Sequence, residues 1–213
     1  MNGEEAVKWF RKSAEQGNAE AKEKMEKNGN PFRNAKVGDF VKFGRYPQKL
    51  GNESQPVEWQ VLSKENGQML VISRYCLDAK RFDGSSNNWE KSEIRQWLNG
   101  EFYNGSFAAE EKALIKSFNQ DNVFLLSKEE AGKYFANRDA RKCKPTFYAK
   151  AKGAIVNNDG YCWWWLRSSN RSDYVYSVDY FGYIIDNIVC SIGNYVYIFR
   201  GSVRPALWIS LES

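Results

Sequence analysis

The side chains a chain owns bound the chemistry it can perform, and this chain owns no histidine. That removes the commonest general base and the commonest zinc ligand together. The four cysteines, Cys76, Cys143, Cys162 and Cys190, lie far apart and form no Cys-x-x-Cys pair. Buried, unpaired thiols are therefore expected rather than a metal site. No phosphate loop, metal box or catalytic triad is visible, and Asn157-Asn158-Asp159-Gly160 reads as a turn. Neither a catalytic residue nor a metal ligand nor a cofactor is expected. What the chain does offer is contact chemistry: 8 Trp, 12 Tyr and 13 Phe are enough rigid surface to fill a core and also line a binding face.

That contact chemistry concentrates near the end. From Asn170 to Trp208 the chain uses Tyr, Ile, Val, Asn, Asp and Ser, with no Lys, Glu, Gln or Met at all. Tyr and Phe supply large contact area at low entropic cost, and Asn, Asp, Ser and Gly supply adaptable hydrogen bonds. The candidate ligand-binding set is Asn170, Ser172, Asp173, Tyr174, Tyr176, Asp179, Tyr180, Tyr183, Ile185, Asn187, Ile188, Asn194, Tyr195, Tyr197 and Phe199. Alternation through Asp173–Tyr180 points to a strand with one set of side chains outward. Val175 and Val178 cannot both point inward on a strict period of two, so a bulge or turn is expected between them. Of Trp163, Trp164 and Trp165, at least one is expected in the core, and the opposite face could floor the binding site. Arg167 and Arg204 flank the stretch and are read as salt-bridging or backbone-bonding scaffold residues; Trp59, Trp97 and Trp208 are read as core.

Bulk properties are consistent with a recognition role. The 213 residues carry a net charge of +5, with Lys and Arg scattered among Glu, which reads as a mixed solvated surface; no nucleic-acid partner is expected. No signal peptide and no spanning helix is visible, so no membrane insertion is expected and a cytoplasmic location is the default reading unless an upstream region is missing. The partner is expected to be a protein, or less favourably a glycan.

The positioning elements read as mixed α and β. Residues 4–28 form an amphipathic helix broken at Gly17-Asn18, with Ala6, Trp9, Phe10 and Ala14 on one stripe, followed by a linker over 28–34. Strands are expected over 39–48 and 56–77, the latter folded into a hairpin at Asn66-Gly67. A helix over 90–107 would bury Ile94, Trp97, Leu98 and Phe102, capped by Ser92 or Asn88. A short helix at 108–118, a strand at 122–127, a helix at 128–135 capped by Ser127 and a helical turn within 143–154 come next. Residues 161–169 read as a buried strand, and 202–211 as a strand in which Pro205 marks an edge or bulge.

Two resemblances follow from these residues. The pattern Ala6, Trp9, Phe10, Lys12, Ala14, Gly17, Ala19 and Ala21 resembles a Sel-one-like, tetratricopeptide-type repeat, and implies that residues 1–30 are part of a helical array. The ordered segments `GDFVKFGRYPQ`, `VEWQVL`, `WEKSEIRQWLNGEFYNGSF`, `VFLLSKEEA`, `WWLRS` and `VRPALW` resemble a bacterial domain family of the C-type-lectin-like superfamily. This implies an α+β fold with two main helices and small antiparallel sheets over 36–213. The superfamily includes the variable proteins of diversity-generating retroelements, in which miscopied adenines turn Asn codons into a set excluding Lys, Glu, Gln, Met and Trp. Every residue from Arg167 to Arg204 belongs to that accessible set. Composition alone gives such a run a chance on the order of one in a million, although undiversified relatives also carry Gly-, Ser- and Tyr-rich hairpins here. The resemblance thus implies a variable region over 170–199. It also admits two other readings: a fixed carbohydrate-binding or accessory module, and a formylglycine-generating-type copper oxidase drawing on Cys162 and Cys190. No recognisable motif surrounds those two cysteines, and lectin-type calcium triplets are missing.

Overall fold

The computed structural model describes residues 30–51, 53–170, 174–189 and 201–212. The expected helical repeat at 1–30 and the candidates Ser172, Asp173, Asn194, Tyr195, Tyr197 and Phe199 lie outside the described residues, as does Cys190.

The described chain is α+β and nearly all its strand pairing is antiparallel. One five-stranded sheet has the order β1-β2-β3-β10-β5, built from β1 (Phe40–Pro47), β2 (Ser54–Glu65), β3 (Gln68–Ser73), β5 (Ile115–Lys116) and β10 (Ala206–Ser210). The other has the order β4-β9-β6-β7-β8, from β4 (Asp78–Lys80), β6 (Trp164–Asn170), β7 (Tyr174–Val178), β8 (Ile184–Val189) and β9 (Gly201–Val203). A single parallel contact, Trp164 to Ser202, joins β6 to β9. Asn66 and Gly67 both have positive φ (50° and 72°), as the two-residue turn joining β2 and β3 requires.

Two hydrophobic clusters cover opposite faces of the central strands. Met69, Val71, Leu207, Ile209, Trp163, Trp165 and Val175 belong to one; Leu70, Ile72, Ala206, Trp208, Trp164, Leu166 and Val178 belong to the other. Successive side chains on a strand point to opposite faces, so a strand covered on both sides reads as an unbroken apolar run. This burial corrects one expectation and explains another. All three of Trp163, Trp164 and Trp165 are buried, so none floors a binding surface; the indole N–H groups of Trp164 and Trp165 donate to the carbonyls of Arg141 and Lys80 at 3.1 and 2.9 Å. Val175 and Val178 are both buried on a continuous strand because each meets a different cluster. The bulge expected between them is present, in the ladder to β8 between Val175 and Ser177.

The helices are short. After a single 3-10 turn at Trp89–Lys91, α1 (Glu93–Trp97) runs through a π turn (Leu98–Phe102) into α2 (Tyr103–Ser106), burying Ile94, Leu98 and Phe102. Ser92 caps α1 through its hydroxyl and Asn88 caps the preceding turn. The expected helix at 108–118 ends early: α3 (Ala109–Leu114) gives way to β5, which pairs with β10. The expected strand at 122–127 is absent apart from one bridge, Phe124 to Ala206. Its backbone is claimed instead by Asn99, whose side chain accepts from the N–H groups of Asn122 and Val123 and donates to the Val123 carbonyl. α4 (Lys128–Tyr134) starts at a Ser127–Glu130 capping box, followed by α5 (Arg138–Arg141) and α6 (Phe147–Ala151). The expected strand at 202–211 is two strands in different sheets, β9 and β10, parted at Arg204-Pro205. Trp59 and Trp208 are core as expected, whereas Trp97 is only partly buried, beneath Lys80.

Candidate ligand-binding surface

The β7–β8 hairpin lies at one edge of the second sheet, and its turn is fixed by its own side chains. The Asp179 carboxylate accepts from the N–H groups of Phe181 and Tyr183 at 2.9 and 2.8 Å, and the Asp179 carbonyl accepts from Gly182 N–H at 3.1 Å. Two arginines of α5 clamp the tip. Arg138 donates to the Tyr183 hydroxyl, and Arg141 Nε donates to the Gly182 carbonyl at 2.8 Å. Gly182 has φ +84°, and a Cβ there would stand 1.8 Å from the Arg138 carbonyl oxygen, so only glycine fits.

On this frame the described candidates take distinct places. Tyr183 is exposed, at 48 %, as is its neighbour Phe181, while Tyr180 turns back onto the core. Tyr174 and Tyr176 are half-buried on the strand, on the face opposite Val175. The Lys128 ammonium lies 4.5 Å over the Tyr176 ring and 3.3 Å from its hydroxyl, a contact that holds the ammonium above its ordinary pKa. Asp179 and Ile185 are half-buried. Asn170, Asn187 and Ile188 are placed on β6 and β8 by their backbones. The structure therefore brings together Tyr174, Tyr176, Asp179, Tyr183 and Ile185 on one hairpin and sets Tyr180 apart.

Beside the start of β7 lies a polar cleft of about 450 Å³, lined by Asn87, Asn88, Trp89, Glu90, Arg167, Ser168 and Ser169. Its walls are held from outside. Trp89 Nε1 donates to Asp121 at 2.9 Å, and Asp121 also takes Arg95 at 2.5 Å. Asn87 Nδ2 reaches the Tyr174 carbonyl at 3.3 Å, tying cleft to hairpin. Arg167 is a scaffold residue, as expected: it grips both oxygens of Glu130 at 2.5 and 2.7 Å and the Leu125 carbonyl at 2.6 Å. Arg204 likewise donates to the carbonyls of Ser73 and Arg141. Sequence reasoning overlooked Asn87, Trp89, Glu90, Ser168 and Ser169 as site residues. The available signal was a pair of short polar runs, Ser85–Asn88 and Ser168–Asn170, that the fold folds against each other.

The cysteines gather elsewhere, in the core. Cys76, Cys143 and Cys162 are buried free thiols, and Cys76 hydrogen-bonds with both of the others. Burial raises the Cys76 thiol. It also opposes ionisation of Cys143, but the Cys76 contact and the Arg204 guanidinium outweigh it and bring that thiol down to about 7. Among the described residues, no group of three or more His, Cys, Asp or Glu side chains could hold a metal ion, and no helix is long and apolar enough to cross a membrane.

Residues 66–211 match a family model described as a domain of unknown function (DUF6273). No curated protein and no solved structure matches the chain.

Proposed function

The chain belongs to the DUF6273 family, and from that premise we propose a non-catalytic ligand-recognition domain of C-type-lectin-like architecture, its contact surface carried by the β7–β8 hairpin. Residues 1–30 would be the end of a helical repeat, and residues 170–199 a segment diversified by a retroelement, with a protein as ligand. One observation carries this reading: none of Tyr174, Tyr176 and Tyr183 is buried, while the hairpin backbone beneath them is fixed by Asp179, Gly182 and Arg141. Adaptable side chains on a rigid frame are what a paratope needs, because rigidity limits the entropy lost on binding.

Sequencing the coding region across a population tests diversification. Substitutions should concentrate in codons 170–199, at adenines of a near-copy lying beside a reverse-transcriptase gene. An invariant segment with no near-copy would discard diversification and leave a fixed binder. The cleft favours one second reading, a carbohydrate-binding module. Trp89 offers a flat apolar edge among Asn88, Glu90, Ser168 and Ser169, groups that suit sugar hydroxyls. A glycan-array signal lost in Asn88→Ala and retained in Tyr183→Ala would favour that reading over the hairpin.

A further inference from the structure

One segment of the chain is strongly basic. Residues 138–152 hold six cations, Arg138, Arg141, Lys142, Lys144, Lys150 and Lys152, and one anion, Asp139. The segment carries a net charge of +5, against 25 cations and 25 anions in the rest of the chain. Arg138, Lys144, Lys150 and Lys152 are exposed, and the segment adjoins the hairpin tip through Arg138 and Arg141.

Aromatic and apolar groups are interleaved with the charge. Lys142 and Lys144 stand 5.7 and 5.1 Å from the centre of the Tyr161 ring, Lys150 stands 5.6 Å from Phe147 and Lys152 stands 5.1 Å from Tyr148. Phe147, Ile155 and Phe181 are 65, 50 and 57 % exposed. Single exposed apolar residues are ordinary; three bordering a concentrated charge are a mixed surface with a definite complement.

We propose that α5, α6 and the segment between them bind an acidic protein segment, one in which Asp or Glu side chains alternate with apolar ones. The placement of this partner beside the β7–β8 hairpin rests on the recognition reading above; the charge and the apolar border do not. A protein segment fits better than a nucleic acid for two reasons. Arg138 and Arg141 each give one N–H to the hairpin tip and Lys142 pairs with Asp139, so the exposed charges left are chiefly the lysines Lys144, Lys150 and Lys152, compact ammonium groups without the fork that suits phosphate. Of the rings that could stack on bases, Tyr183, Tyr161, Phe147 and Tyr148 each carry a cation already, and only Phe181 has none over it among the described residues.

The test is fluorescence anisotropy of the full chain with a labelled twelve-residue peptide alternating Asp or Glu with Leu or Phe. A peptide with Asn and Gln in place of the acids, heparin, and single-stranded DNA of equal charge serve as competitors. The acidic peptide should bind, with affinity falling about tenfold between low and moderately high salt as screening sets in. Replacing Lys142, Lys144, Lys150 and Lys152 by Gln should weaken it at least about tenfold, and Phe147→Ala with Ile155→Ser about threefold with an unchanged salt dependence. Circular dichroism checks that these surface variants fold. Absence of peptide binding overturns the proposal, as does heparin or DNA competing as well as the acidic peptide. Loss in the lysine variant with full affinity in Tyr183→Ala supports the patch and separates it from the hairpin. The converse overturns the patch and leaves the hairpin reading standing.

Discussion

Two of the hairpins, β2–β3 and β7–β8, solve the same problem in different ways. In β2–β3 the register is set by buried side chains on both faces, among them Val61, Leu70, Val71 and Ile72, and the turn is merely permissive. In β7–β8 only Val175, Ser177 and Val178 of the first strand are buried, and the turn does the specifying through Asp179, Gly182 and two arginines. A hairpin fixed by its interior cannot vary, since each side chain is also a packing element. A hairpin fixed by its turn asks less of its strand side chains: Tyr174 belongs to neither cluster, Tyr176 rests on the edge of the second, and Tyr183 serves the clamp through its hydroxyl.

The largest expected effects test the first half of this contrast. Leu70→Ala empties a position that is 1 % exposed and should cost about 2–5 kcal/mol in chemical denaturation. A cost below about 1 kcal/mol would mean that the β2–β3 interior does not set its register. On the other hairpin, Gly182→Ala drives a Cβ into the Arg138 carbonyl at a positive φ and should cost about 2–3 kcal/mol. The same denaturation assay reads it. An innocuous Gly182→Ala would show the turn to be dispensable.

The two hairpins meet at Arg204, which donates to Ser73 at the end of β3 and to the carbonyl of Arg141, the residue that clamps Gly182. Arg204 is 3 % exposed and lies next to the Cys143 thiol, whose folded value of about 7 is below its ordinary 9. A group whose folded pKa is depressed contributes stability above its unfolded pKa and loses it as pH falls through the folded one. Stability should therefore rise between about pH 7 and 9, on the order of 1–2 kcal/mol, and Cys143→Ala should flatten that rise. A slope that survives in Cys143→Ala would assign it to another group. Asp179→Ala ranks next, at about 1 kcal/mol, for the two turn N–H groups it leaves without their acceptor. Hydrogen exchange at Phe181 and Tyr183 should show the loss locally.

Much of the first hairpin was legible in the sequence because its determinants are local. Asn66-Gly67 states its own turn, and Ser127 with Glu130 states its own cap. Ser92, Asn88 and the Ile94–Leu98–Phe102 stripe were legible for the same reason. What escaped depends on contacts distant in sequence. The segment 122–127 has strand composition, but Asn99 takes its backbone hydrogen bonds. Residues 202–211 look continuous, yet Arg204 is drawn to Ser73 while Pro205, lacking an N–H, sits where the chain changes sheets. A run of three Trp cannot say whether both faces of its sheet are covered. The cleft escaped because neither Asn87–Glu90 nor Arg167–Ser169 is distinctive before the fold joins them.

The smallest predicted effect decides the most about function. Tyr174→Ala should change stability by no more than about 0.5 kcal/mol, the range of surface substitutions, and Tyr176→Ala, which also removes a ring from the edge of the second cluster, by about 1 kcal/mol. Tyr174 is only half-buried, and Tyr176 combines a peripheral contact with the second cluster and a cation–π contact to surface-exposed Lys128 that contributes little in water. The outcome is read against Leu70→Ala in the same denaturation series. Tyrosines that can be removed at little cost to the fold are kept for a reason outside it, which is the condition a recognition surface must meet. Costs of about 2 kcal/mol or more would make these tyrosines packing residues, and the two hairpins would then differ in sequence but not in kind.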